Sequence, residues 1–172
     1  MTTKTFRAGP ALLLAALGTF AGTALAQPAA ATYELRLLTP ETALTAARAA
    51  LESCRRQNYQ VAVAVVDRAG ITQVLLRDRF AGPHTVDIAT GKAWTAASFR
   101  TDTTALAAET QPGRPMSGLR AHPRFMAAGG GIVIQGGGNI FGAIGVSGGP
   151  GGEADESCAK AGLAAIREAV EF

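Results

Sequence analysis

The chain has 172 residues, 16 of them lysine or arginine and 13 aspartate or glutamate, with 48% hydrophobic and 17% charged residues. That apolar share excludes a disordered chain, and the length suits one domain with a core of its own. The formal charge of +3 and pI of about 9.2 overstate the basic character. Lys4 and Arg7 fall in a segment expected to be removed, which leaves 14 cations against 13 anions, and 12 of those cations are scattered arginines. A nucleic-acid or anionic-membrane partner therefore loses its electrostatic support.

At the N-terminus, Lys4 and Arg7 precede an apolar run over 11–26 that ends in Ala24-Leu25-Ala26. This is the pattern of a secretory leader, with cleavage expected before Gln27. The reading divides the chain into a leader at 1–26, a linker with a short extended segment at 27–38, and a domain at 39–172. A periplasmic or secreted location follows, with no later stretch apolar enough to span a bilayer.

Thr39-Pro40-Glu41 reads as an N-cap, a first-turn proline and an early acid, and Leu44, Ala47, Leu51 and Cys54 recur at helical spacing. The first helix is expected to reach about Gln57. Residues 61–66 are apolar and mostly β-branched, 67–70 form a turn, and 71–76 resume the strand pattern, which predicts a hairpin. After a loop over 77–83 comes a second helix, 85–99, with a narrow face of small side chains at Ala89, Ala93, Ala96 and Ala97. That face suits close packing on a sheet or on a second subunit. A short helix is expected at 103–109, followed by an irregular loop over 111–124 broken by Pro112, Pro115 and Pro123.

Twelve of the 21 glycines then fall between Gly129 and Gly152. The run lacks the spacing of a dinucleotide fingerprint and the Gly-Lys-Ser/Thr of a phosphate loop. Apolar residues at 132–134 and 140–146 interrupt it, so it reads as a second hairpin with its turn over 135–139. A last helix is expected over 153–170. Glu153, Asp155 and Glu156 at its start complement the helix dipole and would repel a phosphate. The elements add up to a single α+β domain, a mainly antiparallel sheet flanked by helices.

Cys54 lies near the end of the first helix and Cys158 near the start of the last, so antiparallel packing would bring them together. A disulfide closing that long loop is worth about 4–5 kcal/mol in the chain-entropy picture; two packed free thiols are the other reading. No nucleophile, base and orienter stand together in the sequence, and the two histidines lack the spacing of a metal site. His84 is either a plain helix-entry histidine or an axial ligand to haem iron. His122 reads as a loop histidine and Trp94 as a packing residue. Asp87 and Lys92, five positions apart on the second helix, do not face each other.

Four blocks carry a family likeness: Val61-Ala-Val-Ala-Val-Val-Asp67-Arg-Ala-Gly70, then His84-Thr-Val-Asp-Ile-Ala-Thr-Gly-Lys92-Ala-Trp-Thr-Ala96, then Gly129-Gly-Gly-Ile-Val-Ile with Phe141-Gly-Ala-Ile-Gly-Val-Ser-Gly148, then Asp155-Glu-Ser-Cys158-Ala. In this order they resemble the GlcG/HbpS-like family, which includes the C-terminal domain of PduO-type proteins. The resemblance implies a profilin- or PAS-like fold, homo-oligomeric assembly and, as in several members, binding of haem or a related tetrapyrrole. It would place His84 as axial ligand, with Lys92, Gly129, Gly130 and Gly131 facing the cofactor. Two further readings stand beside it: a non-catalytic accessory protein of a periplasmic oxidoreductase system, with a dehydrogenase as partner, and an enzyme acting on haem or a small organic acid.

Overall fold

A computed structural model describes residues 1–2 and 30–171 of the chain. Met1–Glu34 and Leu35–Phe172 are separate units. In the first, residues 30–34 are exposed and carry no helix or strand, and the expected leader with its cleavage point lies outside the described residues. The extended segment expected at 33–38 pairs with no strand; Leu38 alone reaches the core.

The second unit runs α1 (Pro40–Arg56), β1 (Ala62–Asp67), β2 (Thr72–Arg77), α2 (His84–Phe99), α3 (Thr103–Glu109), a 3-10 turn (Ser117–Ala121), β3 (Gly131–Gly136), β4 (Asn139–Ser147), α4 (Gly152–Ala164) and α5 (Arg167–Val170). Thr39 caps α1 by accepting from the Thr42 amide at 3.2 Å, with Pro40 at the first turn and Arg55 and Arg56 at the last, where cations offset the helix dipole. No helix among the described residues is long and apolar enough to cross a membrane.

The four strands form one antiparallel sheet in the order β2-β1-β4-β3. Both faces of β1 are covered. Val63 and Val65 join α1 and α4 in one core cluster, while Ala62, Ala64 and Val66 meet Ala89, Ala93, Ala96 and Ala97 of α2 in another. This explains why β1 is continuously apolar instead of alternating. The small face of α2 packs on the sheet, one of the two roles expected for it. At Gly145 the contact is so close that a Cβ would lie 2.1 Å from the Ala89 carbonyl oxygen, so no side chain fits there.

The glycine-rich hairpin is tighter than its sequence indicates. Strand pairing continues to Gly136 and Asn139, leaving a two-residue turn at Gly137 and Gly138 with φ of +53° and +75°. Positive φ at both central positions gives a turn whose twist matches that of the flanking strands. The last helix is instead broken, with Ile166 at φ −116° and ψ 6° between α4 and α5. The break lets Ile166 and Val170 both reach the core cluster.

Three links fasten this framework. Cys54 and Cys158 form a disulfide that joins α1 to α4 across 104 positions. Lys92 on α2 and Asp155 on α4 form a buried ion pair: Lys92 Nζ donates to Asp155 Oδ2 at 2.7 Å and to the Val146 carbonyl at 3.0 Å, and the Gly149 amide donates to Asp155 Oδ1 at 2.8 Å. The third is Arg55, whose guanidinium donates through Nε and Nη2 to the buried Asp78 carboxylate at 2.7 and 2.9 Å. Those hydrogen bonds hold the Asp78 carboxyl below the usual carboxylate range although burial opposes the shift.

Replacing both Cys54 and Cys158 with alanine should lower the unfolding free energy by up to about 4–5 kcal/mol, read from the urea midpoint. Lys92→Met should cost about 3–5 kcal/mol by stranding a buried carboxylate, and Lys92→Met with Asp155→Leu should cost less than the sum of the single changes. A carboxyl whose value is depressed on folding stabilises above its unfolded value of about 3.9 and ceases to do so as pH falls through the folded value. Asp78→Asn should therefore flatten the loss of stability below about pH 4 in acid unfolding curves.

Candidate functional site

Where β1 begins and β4 ends, the chain leaves an open cleft of about 370 Å³ lined by Tyr59, Gln60, Phe80, His84 and the 148–150 segment, among others. That is the small end of the range for ligand pockets, about 300–1,000 Å³. One wall is the loop 78–82, held down at several points. The Asp78 amide donates to the Val61 carbonyl at 2.9 Å, Asp78 itself is clamped by Arg55, and the Arg77 guanidinium donates twice to the Ala81 carbonyl at 3.0 and 2.6 Å. On this braced loop Phe80 is 79% exposed, which is unusual for a phenylalanine on a fixed backbone.

Gly82 and Pro83 lead into α2, whose first residue is His84. Thr85 anchors the turn, its hydroxyl donating to the Gly82 carbonyl at 2.7 Å. His84 is exposed and lines the cleft with Phe80, and its ring hydrogen-bonds to none of the described residues. The ring lies over Gly82: a Cβ built there would stand 2.6 Å from Cε1 and 2.9 Å from Nδ1, but 3.7 Å from Nε2.

His122 is placed differently. Its ring stacks on Trp94 at 5.5 Å between centroids and 6° between planes, and the Arg124 guanidinium sits 4.5 Å from the Trp94 ring centre. The Arg124 amide donates to His122 Nδ1 at 3.2 Å. A neutral imidazole accepting there carries its proton on Nε2, which leaves no lone pair for a metal. His122 and Trp94 therefore fasten the 111–124 loop, together with Thr95, whose hydroxyl accepts from the Met126 amide at 2.9 Å.

The other expected cofactor contacts are spent on packing. Lys92 is 2% exposed and engaged with Asp155 and Val146. The space a Cβ of Gly130 would need is filled by Asp155, Val146 and Lys92, that of Gly131 by Lys92 and Thr103, and that of Gly129 by Thr104 and Gly152. None of these residues lines the His84 cleft. Lys92 and the three glycines, expected to face a ligand with His84, lie apart from that cleft and pack around the buried ion pair.

Gly145-Val-Ser-Gly-Gly149 has the letters of a nucleophile elbow. Its serine does not stand on an exposed turn. Ser147 ends β4 opposite Ala62, is 5% exposed, and bonds to no histidine among the described residues. Nor do the described residues contain a group of three or more His, Cys, Asp or Glu that could hold a metal ion. Sequence reasoning missed Asp155 and Asp78 as buried acceptors, and Phe80 and Gln60 as cleft walls. One signal was present: Thr85, Ala89, Lys92 and Ala96 share a helical stripe, which puts the lysine on the buried face.

Comparison with known proteins matches residues 38–164 to the family described as "Haem degrading protein HbpS-like". The corrinoid adenosyltransferase PduO of Salmonella typhimurium is 35% identical over 121 residues, 69% of this chain but 36% of its own length, so the chain spans about a third of that relative. Among solved structures, Klebsiella pneumoniae protein ORFY superposes with a TM-score of 0.78 at 29% identity, covering 82% of this chain and 98% of its own. A double mutant of Streptomyces reticuli HbpS gives 0.74 at 38% identity (83% and 98% covered), and a complex of PduOC with haem gives 0.73 at 32% identity (76% and 96% covered). The antiparallel sheet and its covering helices are those of these relatives, and the chain belongs to the HbpS-like family.

Proposed function

We propose that this protein binds haem or a closely related tetrapyrrole in the cleft beside His84, for storage, sensing or delivery. The observation that carries this reading is the exposed imidazole of His84, which bonds to no described residue and lines the same cleft as the exposed Phe80. Neutral imidazole is a common axial ligand to haem iron, and a phenylalanine ring is a natural partner for the face of a flat macrocycle. The similarity to the PduOC–haem complex and to a family described as haem degrading supports the same ligand. Bound haem would supply a redox-active iron; what this chain supplies is a nitrogen ligand, an apolar wall and a braced rim.

The cleft is open, so a macrocycle seated in it would keep one face toward solvent or toward a second copy of the chain. We read the protein as a homo-oligomer on that ground. The leader-like pattern at 1–26 and the Cys54–Cys158 bridge both support export to an oxidising compartment.

Titrating the mature protein with haemin should produce a shifted Soret band. His84→Ala should change that band and weaken binding at least about tenfold, equivalent to about 1.4 kcal/mol. An unchanged spectrum and affinity in His84→Ala would remove His84 from the site.

A further inference from the structure

Asp87, Gly91 and Trp94 of α2 stand at spacings of four and three, so they follow one another along one side of the helix, with Asp87 and Trp94 about 10 Å apart along its axis. Against that side runs the 123–126 segment, and the two enclose a groove of about 270 Å³ lined by Asp87, Ile88, Gly91, Arg124 and Met126, among others. It shares no lining residue with the His84 cleft. The segment that forms its second wall is braced. The Thr95 hydroxyl accepts from the Met126 amide at 2.9 Å, the Phe125 amide donates to the His122 carbonyl at 3.0 Å, and the buried Phe125 ring meets Phe99 edge-on at 5.2 Å.

Packing accounts neither for Gly91 nor for the charges of this groove. A Cβ at Gly91 would stand 3.4 Å from Met126 Cβ and 3.9 Å from the Arg124 carbonyl oxygen, ordinary contact distances. Nothing in the fold therefore requires a glycine there, and a helix interior disfavours one. A carboxylate and a guanidinium line the same hollow, yet among the described residues neither Asp87 nor Arg124 enters an ion pair. The Arg124 guanidinium lies instead 4.5 Å from the centre of the Trp94 ring, one turn beyond Gly91. We propose that this groove binds a small linear amino carboxylate, with its ammonium at Asp87, its methylene chain across the bare backbone of Gly91 beside Ile88 and Met126, and its carboxylate on the Arg124 guanidinium. Opposite charges of the ligand then meet two side chains that lack an ionic partner. The volume falls below the range of about 300–1,000 Å³ for drug-sized ligands, which restricts the occupant to a short chain.

Trp94 is the single tryptophan of the chain and touches Arg124, so its fluorescence reports occupancy. Titration with γ-aminobutyrate, δ-aminovalerate and ε-aminocaproate should change that fluorescence saturably for at least one length. Valerate and pentylamine, each with one charge of the pair, should bind at least about tenfold more weakly than the best of the three. Asp87→Asn should weaken that amino acid by at least about tenfold and leave valerate unaffected, a selectivity that a carboxylate serving only the helix dipole would not produce. Gly91→Ala should raise the urea midpoint, since alanine favours the helix, and should weaken binding by filling the groove floor. The same variant should titrate with haemin like wild type. No saturable change with any of the three lengths, equal binding of the singly charged probes, or a Gly91→Ala protein that binds like wild type would each overturn the proposal. A Gly91→Ala protein that loses haemin as well would make the groove part of the His84 cleft and overturn it as a separate site.

Discussion

Helix α2 can lie on the sheet only because almost no side chain stands between them. Gly145 presents bare backbone to Ala89 and Ala93, and Ala62, Ala64 and Ala143 meet a helix face that is itself alanine. Each alanine buries little apolar area, so the hydrophobic gain per residue on this side is small. The larger gain sits on the opposite face, where valines and isoleucines of β1, β3 and β4 meet α1 and α4. The two sides do different jobs: one supplies stability, the other sets a short helix-to-sheet distance. That distance fixes where α2 begins, and hence where His84 emerges at the end of the sheet.

A helix held so closely needs a brake against sliding, and the buried Lys92–Asp155 pair is suited to that task. Buried ion pairs contribute little net stability over well-packed apolar residues, because desolvation offsets the attraction. What they do demand is geometry. Lys92 must meet Asp155 and the Val146 carbonyl together, and Asp155 must also receive the Gly149 amide. Only one placement of α2 against β4 and α4 satisfies all three contacts. The glycines at 129–131 belong to the same constraint, since any side chain at Gly130 would strike the pair or its neighbours.

The periodic features were readable before any coordinates. The capped first helix, the β1–β2 hairpin, the small-faced second helix and the short helix at 103–109 follow from spacing and from turn residues that act locally. What escaped depends on contacts between distant positions. Nothing near Asp78 indicates Arg55, 23 residues away, and nothing near Lys92 indicates Asp155, 63 residues away. The break at Ile166 was hidden as well, because local propensity favours a continuous helix and only core packing turns the chain. For the site, His84 was legible as an imidazole at a helix entry, whereas Gln60 and Phe80 were not, since ordinary residues become informative only by their exposure and missing partners.

The cleft differs from the tightly paired framework around it. Many buried polar groups of the framework are paired more than once, although the Gln73 side-chain oxygen also lacks a donor among the described residues: Asp78 takes two bonds from one guanidinium and a third from the Arg79 amide, and Thr103 both accepts from the Gly131 amide and donates to its carbonyl. In the His84 cleft the pairing stops. A buried amide oxygen without a donor and a phenylalanine ring in water are each unfavourable alone, and the exposed imidazole that lines the cleft with them has no hydrogen bond to the described residues. They stand together on a rim fastened by Arg55, Arg77 and Thr85, so the strain is not that of a loose loop. A rigid frame around unsatisfied groups is what differential binding requires, because the groups gain most when a ligand brings the missing partners and the frame need not be ordered again.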